Sequence, residues 1–240
     1  IARAVRLIRA RSEIYFIDPD RIALCGFSAG GHLCAALCVH YMDVADKNSG
    51  YRTVSARPDA AVLCYPVITS GVYAHRDSIV ALLGNSPDTE ELKYMSLEYY
   101  VTKDTPPCFL WQTVTDATVP VENSYLFAMA CRRAGVKYAH HVFSEGVHGM
   151  SVASETWLER EFGVSYTLEQ IRRLADAVAA GRTKYPPEQG QQIARDFGLS
   201  GQKKEKWTPQ VKEQIRKTLG EVEIWPRMAE RWLANIWREA

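Results

Sequence analysis

A serine, a histidine and a carboxylate are spaced along this chain in a way that suits acyl transfer. Ser28 lies in Gly26-Phe27-Ser28-Ala29-Gly30, between a short apolar run (21–25) and a helix-forming run that starts near His32. A serine in such a strand-to-helix turn is lifted clear of the backbone. The helix then brings its positive end and its first free amides, Ala29's among them, to the reacting centre. Glycine is expected at 26 and 30 because a side chain at either place would meet neighbouring backbone. The plain alternative is a small-residue turn that packs a helix closely on a strand.

A serine hydroxyl needs a base to take its proton. Six histidines are available, and His148 in Glu145-Gly146-Val147-His148-Gly149 is the best placed, in a glycine-flanked loop after the last apolar strand. His40, His140 and His141 fall inside elements, His32 suits helix packing, and His75 lies where it would touch substrate. An acid must then fix the tautomer of the base. Asp116, in Thr113-Val114-Thr115-Asp116-Ala117-Thr118-Val119-Pro120, follows a strand end; Glu122 is the fallback. Taken alone, Asp116 reads equally well as a turn cap.

Elements must position these groups. The pattern predicts a first helix to about Tyr15, a buried strand at 21–25, and a helix from His32 to Met42. Strands follow at 60–65, 108–111 and 138–143, with a helix from Val121 to Ala134 closed by Gly135. Short apolar strands alternating with helices imply a mostly parallel sheet covered by helices on both faces. Beyond Ser154 charge becomes dense and no strand is predicted. The 168–178 run has a helical period that stops at Gly181, Thr208-Pro209 starts a further helix that Gly220 ends, and Trp225 to Trp237 form an amphipathic closing helix. The expected division is a catalytic core at 1–156, a helical insertion at 157–222 and the closing helix at 223–240.

With 240 residues, 47% of them hydrophobic, the chain can bury one good core, and its net charge of +1 gives no electrostatic sign of a nucleic-acid partner. Residues 191–200 faintly resemble part of a helix-turn-helix, but Gly201 and a charge run interrupt the recognition helix that would have to follow. No apolar run reaches the roughly 20 residues that span a bilayer. The six cysteines form no C-x-x-C pair and no zinc-ligand spacing. They read as reduced structural thiols, so the expected location is the cytoplasm, unless a leader was lost ahead of Ile1. Ile1, Val5 and Ile8 already follow a helical period, so the chain is expected to begin inside an element.

The stretch from Asp18 to Leu33 resembles the nucleophile turn of bacterial acetyl-xylan-esterase and feruloyl-esterase-like α/β-hydrolases, relatives of the hormone-sensitive-lipase group. Residues 57–67, 104–111, 116–124 and 145–149 are similar too, and the likeness covers about residues 1–154 plus the closing helix. It implies the α/β-hydrolase fold, with Ser28 as nucleophile, Asp116 as acid, His148 as base and the Ala29 amide as oxyanion donor. The substrate would be a short acyl or carbohydrate ester, with no cofactor and no metal. Phe27, Val119 and His75 are the expected substrate contacts, and the segment from Ile68 to Tyr100 would lie over the site. It also implies an HGG-type loop with a second oxyanion donor, a motif the sequence does not contain. Without the early strands the 21–25 strand would be an exposed edge that invites association, with a second copy for instance. Two rival readings remain: a serine peptidase of the prolyl-oligopeptidase kind, and an impaired hydrolase fragment acting as an interaction module.

Overall fold

The computed structural model describes residues 1–48, 50–159, 166–183, 185–197, 199 and 207–238. In chain order the elements are α1 (Ala2–Ala10), α2 (Ser12–Tyr15), β1 (Ala23–Phe27), α3 (Ala29–His40), β2 (Ala60–Cys64), α4 (Arg76–Leu83) and α5 (Thr89–Tyr94). After a short 3-10 turn come β3 (Cys108–Thr113), α6 (Glu122–Ala134), β4 (Tyr138–Phe143), α7 (Glu155–Glu159), α8 (Tyr166–Ala179), α9 (Glu188–Asp196), α10 (Pro209–Val222) and α11 (Trp225–Ile236). The chain divides into two compact units, Ile1–Ala153 with Thr218–Ala240, and Ser154–Lys217.

The first unit is built on four parallel strands in the order β1-β2-β3-β4. Every residue of β2 and β3 is buried. That is why 60–64 and 108–111 read as unbroken apolar runs: an interior parallel strand has both faces covered and cannot alternate. Between the sheet and α3 and α6 lies a core of Cys34, Ala35, Cys38, Leu63, Leu110, Phe127 and Cys131. On another face Trp225 of α11 stacks on Trp111 and Trp232 tilts against Phe109, so the closing helix is seated on β3. At the end of α6, Gly135 takes φ 70°, the left-handed conformation that stops a helix.

Several expectations need correction. The first helix is interrupted at Arg11 and resumes as the short α2. The 21–25 strand runs instead from Ala23 to Phe27 and is mostly half-buried, with Cys25 exposed and Gly26 buried; among the described strands it lies at the edge, as expected. The other five cysteines are buried, and all six are free thiols. The helix after the serine begins at Ala29 rather than His32, directly on the turn. Gly220 does not end α10, which continues to Val222.

The second unit spans Ser154–Lys217, where the sequence places a helical insertion at 157–222; its described elements are helical. α9 lies so close on α8 that a Cβ at Gly190 would stand 2.6 Å from the Ala175 carbonyl oxygen. Arg216 bridges Glu155, Glu159 and Glu213, and Lys212 also reaches Glu159. The helix-turn-helix-like segment falls partly outside the described residues; its described part lies mainly in α9. No helix among the described residues is long and apolar enough to cross a membrane.

Candidate active site

Parallel strands bring their carboxyl ends to one edge of the sheet, and the loops there are where open α/β sheets hold ligands. Ser28 directly follows β1, Tyr65 follows β2, Asp116 stands three residues past β3, and His148 five past β4. Four segments far apart in sequence thus meet at one edge.

Ser28 takes φ 55° and ψ −119°, a conformation that costs a non-glycine residue about 1–3 kcal/mol and is kept only where surroundings enforce it. Its amide donates to the Cys64 carbonyl (2.9 Å), and its carbonyl accepts from the amides of His32 (3.1 Å) and Val67 (3.2 Å). The glycines around it act unequally. A Cβ at Gly26 would lie 2.2 Å from the Gly30 carbonyl oxygen, and one at Gly31 would lie 2.8 Å from Pro66 Cβ. At Gly30 nothing comes within 4 Å, so the steric need expected there belongs to Gly31 instead.

The hydroxyl of Ser28 is 2.7 Å from His148 Nε2, and His148 Nδ1 is 2.6 Å from Asp116 Oδ2. With the carboxylate accepting at Nδ1, the ring carries its proton there and offers Nε2 as acceptor to the serine. The Asp116 side chain is wholly buried, and its charge is met on every side. Oδ1 accepts from the amides of Thr118 and Val119 (both 2.9 Å), and Oδ2 accepts from Gln112 Nε2 (3.2 Å) as well as from His148. A buried carboxylate is retained only with such compensation. Glu122, the fallback acid, sits in the first turn of α6, where its charge suits the helix dipole.

Of the remaining expected site residues, Ala29 and Phe27 flank the serine and Val119 lies behind the acid. Ala29 opens α3, so its amide has no acceptor within the helix and stands beside the serine. Val119 is fully buried: its amide holds Asp116 and its carbonyl accepts from Gln112, which leaves its side chain no surface for substrate. Phe27 packs on Tyr65 and Trp225. His75 bonds Ser78 in the first turn of α4. The other histidines are structural: His32 Nδ1 meets the Val67 carbonyl, His40 stacks on Tyr94, His140 bonds Ser124, and His141 lies against Phe109.

Sequence reasoning missed the residues that hold this geometry. Tyr65, itself at φ 37°, meets the His148 ring edge to face at 5.0 Å and accepts the Ser151 amide on its hydroxyl (3.1 Å). Burial pushes that phenol well above the usual tyrosine range, which keeps it protonated. Thr113 and Thr115 both donate to the Gly146 carbonyl, and Thr115 accepts the Gly146 amide in return. Asn123 accepts the amides of Ile68 and Thr69 and donates to the carbonyls of Tyr73 and Pro120, tying the 68–73 segment to the acid loop. The one signal available for Tyr65 was its place at a strand's carboxyl end.

The family model described as BD-FAE matches residues 1–130. The endo-1,4-β-xylanase B of Butyrivibrio fibrisolvens is 50% identical over 178 residues, 74% of this chain and 28% of that protein. The acetylxylan esterase of Xylanibacter ruminicola is 27% identical over 164 residues, 66% of this chain and 32% of that protein. Among solved structures, an acetyl ester-xyloside bifunctional hydrolase from Caldicellulosiruptor lactoaceticus superposes with a TM-score of 0.62 at 47% identity, covering 67% of this chain and 60% of that one. The chain therefore spans about a third or less of the length of these two curated relatives.

Proposed function

Because this chain belongs to the BD-FAE family and has the α/β-hydrolase fold, we propose that it is a carboxylic ester hydrolase working through an acyl-enzyme on Ser28. The observation that carries this reading is the unbroken line from Ser28 Oγ through His148 to buried Asp116, at 2.7 and 2.6 Å. Ser28 Oγ attacks the ester carbonyl as His148 Nε2 takes its proton, and Asp116 stabilises the imidazolium. The negative oxygen of the tetrahedral intermediate faces the Ala29 amide at the positive end of α3. Collapse breaks the acyl–oxygen bond, and the imidazolium gives its proton to the departing alcohol. Water then repeats the sequence on the acyl-serine, releases the acid and restores the hydroxyl.

The substrate class we propose is short acyl esters, with acetyl groups on plant-derived carbohydrate foremost. Support comes from the relatives' names, which include an acetylxylan esterase and an acetyl ester-xyloside hydrolase. Hydrolysis of p-nitrophenyl acetate is expected, with a fall on the order of 10⁶-fold in Ser28→Ala. Equal rates in the two proteins would overturn the assignment. Release of acetate from acetylated xylan, compared with hydrolysis of aminoacyl-nitroanilides, separates an esterase from a peptidase.

The rival to a working esterase is an interaction module, and Ser28 itself tests it. An interaction module built on a hydrolase core would keep the fold and lose the rate. Labelling by a fluorophosphonate decides between them, because the reaction needs an activated Ser28; well-folded protein that resists the probe is the module.

A further inference from the structure

We infer that Tyr65 and Trp225 are positioning residues for the base, acting together on the peptide groups of Ser151. The inference rests on the reading of His148 as the base. Ser151 lies three residues past His148 and takes φ 53°, a left-handed conformation that a serine does not hold unaided. Its amide donates to the Tyr65 hydroxyl at 3.1 Å, and its carbonyl accepts from Trp225 Nε1 at 2.8 Å. Both backbone polar groups of one residue are thus held by aromatic side chains from two other places in the fold.

Neither aromatic ring is free to drift. Tyr65 is 95% buried and packs edge-on against Trp111 (4.9 Å) and tilted against Phe27 (5.8 Å). Trp225 is equally buried, stacked on Trp111 at 5.4 Å and edge-on to Phe27 at 5.9 Å. The four rings form one block, and the block touches the imidazole itself through the Tyr65 ring. At its other end the His148 loop is anchored through Gly146 to Thr113 and Thr115. His148 is therefore carried on a span with two supports, both built from sequence-distant parts, and the aromatic block reaches further along the chain. This gives the closing helix a task in the chemistry: Trp225, 77 residues beyond His148, holds the loop that presents it.

Tyr65→Phe and Trp225→Phe each keep an aromatic ring and remove one hydrogen bond to Ser151. A base displaced by a fraction of an ångström loses turnover on the order of tenfold, with substrate binding little changed. In p-nitrophenyl acetate hydrolysis kcat should therefore fall about tenfold in each variant while KM stays within about twofold. Tyr185→Phe, on an exposed tyrosine of the second unit, should leave both unchanged. A second readout needs no turnover. The His148 Nδ1 proton, held against Asp116, should give a downfield proton resonance in wild type and in Ser28→Ala, and should broaden away in Tyr65→Phe through exchange with water. Thermal midpoints identify a variant that fails to fold, and Trp225→Phe then carries the test. Unchanged kcat together with a persistent resonance overturns the inference. Loss of the resonance supports it even if Ser28→Ala retains activity and the esterase reading fails.

Discussion

The turn that carries Ser28 and the loop that carries His148 solve the same problem by opposite means. Each must hold a reactive side chain at the sheet edge in a conformation the free chain avoids. The serine turn does so chiefly through its own glycines: Gly26 lets the turn close on the Gly30 carbonyl, and Gly31 lets α3 come down on Pro66, beside the Cys64 and Val67 peptides that bond Ser28. The histidine loop carries strain at Ser151 and Ala153, both at positive φ, and relies on Thr113, Thr115, Tyr65 and Trp225 from other elements. A turn whose close approaches fall on its own glycines can be read as a motif. A loop fixed by distant side chains has no motif to read, although it matters equally to the chemistry.

The largest test of that contrast is Gly26→Ala. The new Cβ would stand 2.2 Å from the backbone oxygen of Gly30 and 2.7 Å from Cys34 Sγ, and no rotamer change relieves a clash with backbone. A loss of about 3 kcal/mol or more in urea unfolding is expected, with turnover lost as well. Gln112→Leu comes next. It removes one of the donors to Asp116 Oδ2 and leaves the Val119 carbonyl short of a partner, at about 1–3 kcal/mol for each buried group. Esterase turnover should fall by at least tenfold, and a rate equal to wild type would show that the remaining donors suffice.

Thr115→Val probes the near support of the histidine loop. It deletes both hydrogen bonds to Gly146 while Thr113 keeps one, so a loss of about 1 kcal/mol with a several-fold fall in kcat is expected. Gly30→Ala sharpens the contrast from the opposite side. Space is open there and the residue lies in the first turn of α3, so a gain of about 0.4–1 kcal/mol in stability is expected, despite the motif. A destabilised Gly30→Ala would mean that the turn is tighter than its geometry states.

The smallest effect concerns β4, which feeds the histidine loop. Burial pushes His140 down from its ordinary 6.5 to about 4, so the folded protein keeps it neutral as it bonds Ser124. The unfolded chain takes up this proton first as pH falls. The stability held by neutral His140 is therefore complete above pH 6.5 and declines as pH drops from there towards 4. His141, also lowered by burial, acts in the same direction. Thermal midpoints taken across this range should slope less steeply in His140→Phe than in wild type.

The sequence by itself determined the interior strands and the serine turn. Unbroken apolar runs at 60–64 and 108–111 announced interior parallel strands, and the glycines around Ser28 announced a close strand-to-helix bend. Both are local properties, written within a few residues by burial and by steric exclusion. His148 and Asp116 could be nominated as candidates, because each follows a strand end. Which histidine meets the serine was decided by the parallel order of the four strands, which sets their carboxyl ends side by side. Tertiary structure alone also buried Val119 behind the acid and gave Tyr65, Gln112 and Trp225 their hydrogen bonds. These outcomes depend on contacts between residues tens of positions apart, and the spacing of residue types along a chain carries no record of which side chains will converge in space.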